Sequence, residues 1–258
     1  MAGDHKDMLF VLGKRDYVNH AFVLNEDVIN RRYEAVFITH SFGTAIPHFA
    51  TNRLLQSRSW KIFHPGHELH ETEFNLAAAQ AVLGVDYTPD DINQYFLGDY
   101  VYERPNDVLI GVHAGSKGGI WGAKRWPGYG AMAQRLMARG IRVASFGTPD
   151  EYVEGTENRT GGTIEEMTRA MLSCSHFVAN DSGVMNVANA LGMPLVSLFA
   201  PTNVKTRGPL GANSRSIVIT RDCSPCELDT SKESKFTNAT CDCIGGITVD
   251  EVLKALDL

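Results

Sequence analysis

Beyond residue 107, apolar runs of strand length alternate with amphipathic stretches of helix length, and this alternation constrains the fold most. DVLIGVHAG (107–115) predicts a buried strand ending in glycine, and IRVASFG (141–147), HFVAND (176–181) and PLVSLFAPT (194–202) predict further strands. Between them, PGYGAMAQRLMARG (127–140) predicts a helix closed by Gly140 just past its end. TIEEMTRAMLSC (163–174) opens with Thr163 and carries Glu166 three residues on, a reciprocal cap; TVDEVLKALDL (248–258) repeats it with Thr248 and Glu251. SGVMNVANALG (182–192) predicts another helix. Such alternation builds βαβ units, hence an α/β fold with a right-handed, parallel sheet.

The first 106 residues are less strongly patterned. MLFVLG (8–13), EAVFITHSF (34–42) and WKIFHPG (60–66) predict strands. HETEFNLAAAQAVLG (70–84) predicts a helix ended by Gly84, and TPDDINQYFL (88–97) one opened by Thr88 and Pro89. YVYERPND (100–107) reads as a linker. The expected organisation is a short N-terminal lobe, 1–106, of about three strands and a fuller C-terminal lobe, 107–258, of about six.

Composition narrows the partners. A net charge of −6 argues against nucleic acid and anionic membrane, which require a basic footprint. No apolar run approaches the roughly 18–20 residues that span a bilayer, and MAGDHKDMLFVLGKRDY lacks the apolar core of a signal peptide. The expectation is a cytoplasmic protein without a transmembrane segment.

The segment NDSGVMNVANALG (180–192) hands a strand over to a helix. Ligands of open α/β sheets bind outside the carboxyl ends of the strands. The first-turn amides of a helix lack intrahelical acceptors and carry partial positive charge, which suits a phosphate. Gly183 would let it approach the backbone closely. The alternative is that Asp181 or Ser182 only caps the helix.

Five motifs in order extend this picture: Ala114-Gly115-Ser116, Lys124-Arg125-Trp126-Pro127, Asn180 to Asn186, Phe199-Ala200-Pro201-Thr202 and Gly208-Pro209. Together they resemble glycosyltransferase family 9, the heptosyltransferase-like enzymes. The resemblance covers about 65–256 and is strongest over 109–211. It implies a GT-B fold of two Rossmann-like lobes, here with a reduced N-terminal one. It further implies inverting, metal-independent transfer of a sugar from a nucleotide-diphosphate donor, typically ADP-heptose, to an acceptor hydroxyl. The chain also contains no Asp-x-Asp metal–diphosphate motif.

By the same resemblance Lys124 contacts the donor phosphates and Asp181, Ser182 and Gly183 form the phosphate-proximal turn. Ser116 lies in the family's glycine turn, which here runs on through an added Gly-Gly-Ile-Trp-Gly segment, either a lid or a plain longer loop. Asp150 and Glu151 stand where an acid meets the donor ribose; the alternative is solvated loop charge. Thr202, Lys205 and Arg207 are weaker donor contacts. Asn186 departs from the family's usual His and cannot titrate near neutral pH. The general base is not evident: Asp16 and His40 are the candidates.

Four of five cysteines cluster as Cys223-x2-Cys226 and Cys241-x-Cys243, a spacing that can close a tetrahedral structural site for Zn or Fe. Reduced thiols or disulfides are the alternatives. Expected partners are the donor, an acceptor glycan, lipid-linked glycan or protein, and further copies of the chain in a homo-oligomer. The competing readings are an inactive nucleotide-sugar-binding or scaffold protein, or a subunit active only in an oligomer.

Overall fold

The structure, a computed structural model, describes residues 36–38, 59–61, 69–84, 86–88, 100–116, 119–220, 224 and 243–258. The strand expected at 8–13, all but Thr88 of the helix expected over 88–97, the candidate bases Asp16 and His40, and Cys223, Cys226 and Cys241 lie outside the described residues. The chain divides into two compact units, Met1–Gln94 and Tyr95–Leu258.

In the first unit β1 (Val36–Ile38) and β2 (Ser59–Lys61) pair in parallel. Helix α1 (Glu71–Leu83) is capped by His70, whose side chain accepts from the Thr72 amide, and ends at Gly84 in the left-handed conformation, φ 67°. Glycine tolerates that conformation without steric cost, so the Gly84 stop is local chemistry.

The second unit is a six-stranded parallel sheet flanked by helices. In chain order it comprises β3 (Leu109–His113), α2 (Tyr129–Met137), β4 (Arg142–Ser145), β5 (Glu157–Asn158), α3 (Ile164–Met171), β6 (His176–Asn180), α4 (Gly183–Ala190), β7 (Leu195–Phe199), α5 (Val204–Arg207), β8 (Ser214–Val218) and α6 (Val249–Leu256). The lateral order is β5-β4-β3-β6-β7-β8. Strands β3, β6 and β7 are buried along their whole lengths, as expected where helices cover both faces. Edge strand β8 is largely exposed and carries Arg215, a charge that discourages pairing with another chain.

Both reciprocal caps form. Thr163 and Glu166 cap α3, and Thr248 and Glu251 cap α6. The core joins sheet residues Ile110, Val112, Val178 and Leu198 to Met132 and Leu136 of α2 and Val252 and Leu256 of α6. The stretch 100–107 is anchored on the second unit: the Tyr102 hydroxyl meets the carbonyl oxygens of Cys174 and Ser175, and Arg104 donates to His176.

This strand order creates the site. The chain runs outward from β3 through β4 to β5, then returns to β6 on the other side of β3 and runs outward again. The connections after β3 and β6 diverge, leaving a crevice at their carboxyl ends, where ligands of such sheets bind.

Candidate active site

Asn180, the last residue of β6, is fully buried and fixes the crevice floor. Its Nδ2 donates to the Ala114 and Gly115 carbonyls, and its Oδ1 accepts from the Trp126 amide and the Tyr129 hydroxyl. One amide side chain thus ties together the loop after β3, the KRWP segment and the end of β6. The Trp126 indole N–H, in turn, donates to the Ile247 carbonyl at 2.8 Å.

Beside Asn180, Lys124 Nζ lies 3.0 Å from Asp181 Oδ2, and these side chains are 12% and 10% exposed. The ammonium also stands 4.9 Å from the centre of the Trp121 ring. Ser182 caps α4: its extended backbone (φ −159°) lets Oγ accept from the Met185 amide. Gly183 and Asn186, on the first turn of α4, are exposed. A Cβ placed on Gly183 would meet nothing within 4 Å, so neither packing nor φ accounts for glycine there.

A second line of contacts runs beneath this turn. His113, ending β3, places Nδ1 3.1 Å from Ser182 Oγ and Nε2 3.2 Å from Glu151 Oε2. Glu151 Oε2 also accepts from the Thr148 amide at 2.9 Å, and Oε1 lies 3.6 Å from Arg125 Nη2. Burial works to raise the Glu151 pKa, but bonds from His113 and Thr148 outweigh it and hold the carboxyl at about 2. Arg125 further donates to the Ser116 carbonyl at 2.8 Å, while the Ser116 hydroxyl donates to the Trp121 carbonyl.

Of the residues expected at the site, Ser116, Glu151 and Ser182 are therefore joined through Arg125 and His113, and Lys124 and Asp181 pair with each other beside them, at the carboxyl ends of β3, β4 and β6, with Gly183 and Asn186 on the open rim. The Ser116 hydroxyl is engaged with the turn, and Glu151 faces inward. Asp150 is exposed and accepts from the Thr148 hydroxyl. Thr202, past β7, is 2% exposed, and its Oγ1 meets no hydrogen-bond partner among the described residues. From Gly119 the Gly-Gly-Ile-Trp-Gly insertion runs in a 3-10 turn, Gly119–Lys124, whose Trp121 carbonyl accepts from the Ser116 hydroxyl. Cys243 is 2% exposed within the core, and among the described residues no His, Cys, Asp and Glu side chains group as metal ligands.

Sequence reasoning assigned no role to His113, Asn180 or Arg125. For His113 the signal was present: a histidine closing a buried strand at the carboxyl edge of a parallel sheet. For Asn180 and Arg125, only the packing of distant segments reveals the partner.

Residues 59–237 match glycosyltransferase family 9 (heptosyltransferase). The chain belongs to this family. Among curated relatives, lipopolysaccharide heptosyltransferase 2 of Salmonella typhimurium is 35% identical over 132 residues, 45% of this chain and 36% of the relative. The matched region thus spans well under half the length of that relative. Among solved structures, the family 9 glycosyltransferase of Veillonella parvula superposes with a TM-score of 0.70 at 17% identity, covering 98% of this chain and 85% of that one. TibC of E. coli, a dodecameric iron-containing heptosyltransferase solved with ADP-D-β-D-heptose, gives 0.57 at 17% identity, covering 77% and 57%. The α/β architecture of this family 9 chain is accordingly the GT-B type of heptosyltransferase structures. No helix among its described residues is long and apolar enough to cross a membrane.

Proposed function

We propose that this chain transfers a sugar of the heptose class from a nucleotide-diphosphate donor such as ADP-heptose to an acceptor hydroxyl. The observation that carries the reading is the Lys124–Asp181 pair set beside the open first turn of α4. A diphosphate resting on that turn would face the Gly183 and Val184 amides, which have no carbonyl one turn earlier in the helix. Lys124 would leave Asp181 in part and stabilise the charge that builds on the departing diphosphate. The Asp181 carboxylate repels phosphate, so its role is to hold Lys124 at the crevice and to accept from a sugar hydroxyl. Asn186, exposed on the same turn, is the other sugar contact. The acceptor oxygen attacks the anomeric carbon from the face opposite the diphosphate, inverting that centre without a metal step. Asp16 or His40 serves as base. The acceptor is a hydroxyl on a glycan, a lipid-linked glycan or a protein.

Calorimetric titration with ADP-heptose tests the donor site. Lys124→Ala removes a charge-assisted contact worth about 1.5–3 kcal/mol, so affinity is expected to fall by roughly 10- to 100-fold. Unchanged affinity would place the diphosphate elsewhere. Turnover of ADP-heptose with acceptor by the intact chain separates an enzyme from a binding protein.

Support for a structural metal comes from the spacing of Cys223, Cys226, Cys241 and Cys243 and from the iron-containing nature of TibC. Thiols kept reduced in the cytoplasm, the proposed compartment, remain available as ligands. Elemental analysis of the purified chain is expected to find about one Zn or Fe per chain, lost in Cys226→Ser. Homo-oligomerisation is part of the same proposal, on the likeness to dodecameric TibC.

A further inference from the structure

We propose that His113 is a positioning residue: held by Glu151, it sets the direction of the Ser182 hydroxyl proton, and it takes up a proton when a diphosphate occupies the mouth of α4. The inference rests on the donor site described above and deepens it.

Glu151 Oε2, ionised, can only accept, so His113 Nε2, 3.2 Å away, carries a hydrogen. In the neutral imidazole Nδ1 is then bare and accepts the Ser182 hydroxyl proton across 3.1 Å. Ser182 Oγ already accepts from the Met185 amide. In this state the hydroxyl has no proton to offer the crevice, and its lone pairs oppose a phosphate oxygen. Protonating His113 puts a hydrogen on Nδ1, which donates to Ser182 Oγ. The hydroxyl proton is released to turn toward the ligand, and a positive charge appears directly beneath it.

The surrounding charges favour that change. The charged side chains about His113 are Glu151 from the turn after β4 and Arg125 from the segment before α2, with the Lys124–Asp181 pair from the 3-10 turn and the end of β6 beside them and Asp150 exposed beyond Glu151. Lys124 and Arg125 contribute two positive charges and Asp181 and Glu151 two negative, which cancel. A bound diphosphate brings negative charge beside this balanced set, and His113, itself 4% exposed, is the member that can answer it by gaining a proton. The built environment agrees: a Cβ at Gly115 would fall 1.7 Å from Glu151 Oε1, and one at Gly147 2.3 Å from Glu151 Oε2. Both glycines leave the volume in which Glu151 reaches His113. Ser182 is not placed as a nucleophile, since its oxygen caps α4.

The test is calorimetric titration of the full chain with ADP-heptose, whose pyrophosphate diester does not titrate near neutral pH. Buffers of different ionisation enthalpy report proton uptake. The native chain is expected to take up protons on binding and to bind more tightly as pH falls through the neutral range. His113→Gln is expected to bind about tenfold more weakly at the acid end, with no proton uptake. Glu151→Gln, which keeps the imidazole, is expected to move the pH dependence to lower pH. Binding by the native chain without proton uptake, or an unchanged pH slope in His113→Gln, would overturn the role of His113 and leave the donor site standing. Failure of the native chain to bind ADP-heptose would overturn the donor site itself.

Discussion

Gly115 and Gly183 are both glycines at the same crevice, yet different physics holds them. At Gly115 a methyl would stand 1.7 Å from Glu151 Oε1 and 1.9 Å from its Cδ, so Glu151 would have to leave His113 and Thr148. Gly115→Ala is expected to destabilise the fold by about 2–3 kcal/mol. At Gly183 the methyl meets nothing, and alanine is the better helix former. Gly183→Ala is therefore expected to leave stability unchanged or raise it by up to about 1 kcal/mol. Affinity for ADP-heptose should nonetheless fall several-fold, because the methyl obstructs close approach to the amide. Urea unfolding and calorimetry on the two variants read these opposite patterns; equal affinity in Gly183→Ala would mean that no phosphate sits against that turn.

At the level of elements, the helices of the second unit other than α2 are started by side chains. Thr248 accepts from the Glu251 amide at 3.2 Å, and Glu251 answers by accepting from the Thr248 amide at 2.7 Å. Helix α6 then buries Val252 and Leu256 in the core. Thr248→Ala orphans an amide in the first turn, so chemical denaturation should show a loss of about 1 kcal/mol. Such caps were legible in the sequence because cap and partner lie three residues apart. Strands β5 and β8 were not: β5 is the two polar residues Glu157–Asn158, and β8 holds an edge position with Arg215 outward. Edge strands need little apolar surface, and so leave little pattern to read.

For the molecule as a whole, acid should act in two steps. His176 Nε2 accepts from Arg104 at 2.7 Å, and burial together with that guanidinium lowers its pKa from 6.5 to about 4. A histidine depressed in the fold stabilises fully above pH 6.5, and the contribution drains away as pH falls from 6.5 toward 4. Glu151, held at about 2 against an ordinary 4.5, stabilises fully above pH 4.5 and loses that contribution below it. Unfolding midpoints against pH should therefore fall first between about 6.5 and 4.5, and again below. His176→Gln, which keeps an acceptor for Arg104, is expected to flatten the first step only. An unchanged upper step in that variant would assign the proton to another group.

The sequence by itself determined what depends on neighbours along the chain. It specified the βαβ alternation, the caps at Thr163 and Thr248, the stops at Gly84 and Gly140, both at positive φ, and a strand-to-helix turn at 180–183. Only the tertiary structure decided that β6 lies against β3, since right-handed crossovers permit a returning strand on either side. That choice brings His113 to Ser182 across 69 positions, as the pairing of β3 with β4 brings it to Glu151 across 38. Hydrogen bonds between residues so far apart require the finished sheet, and residue types and spacing alone do not encode which of them will meet.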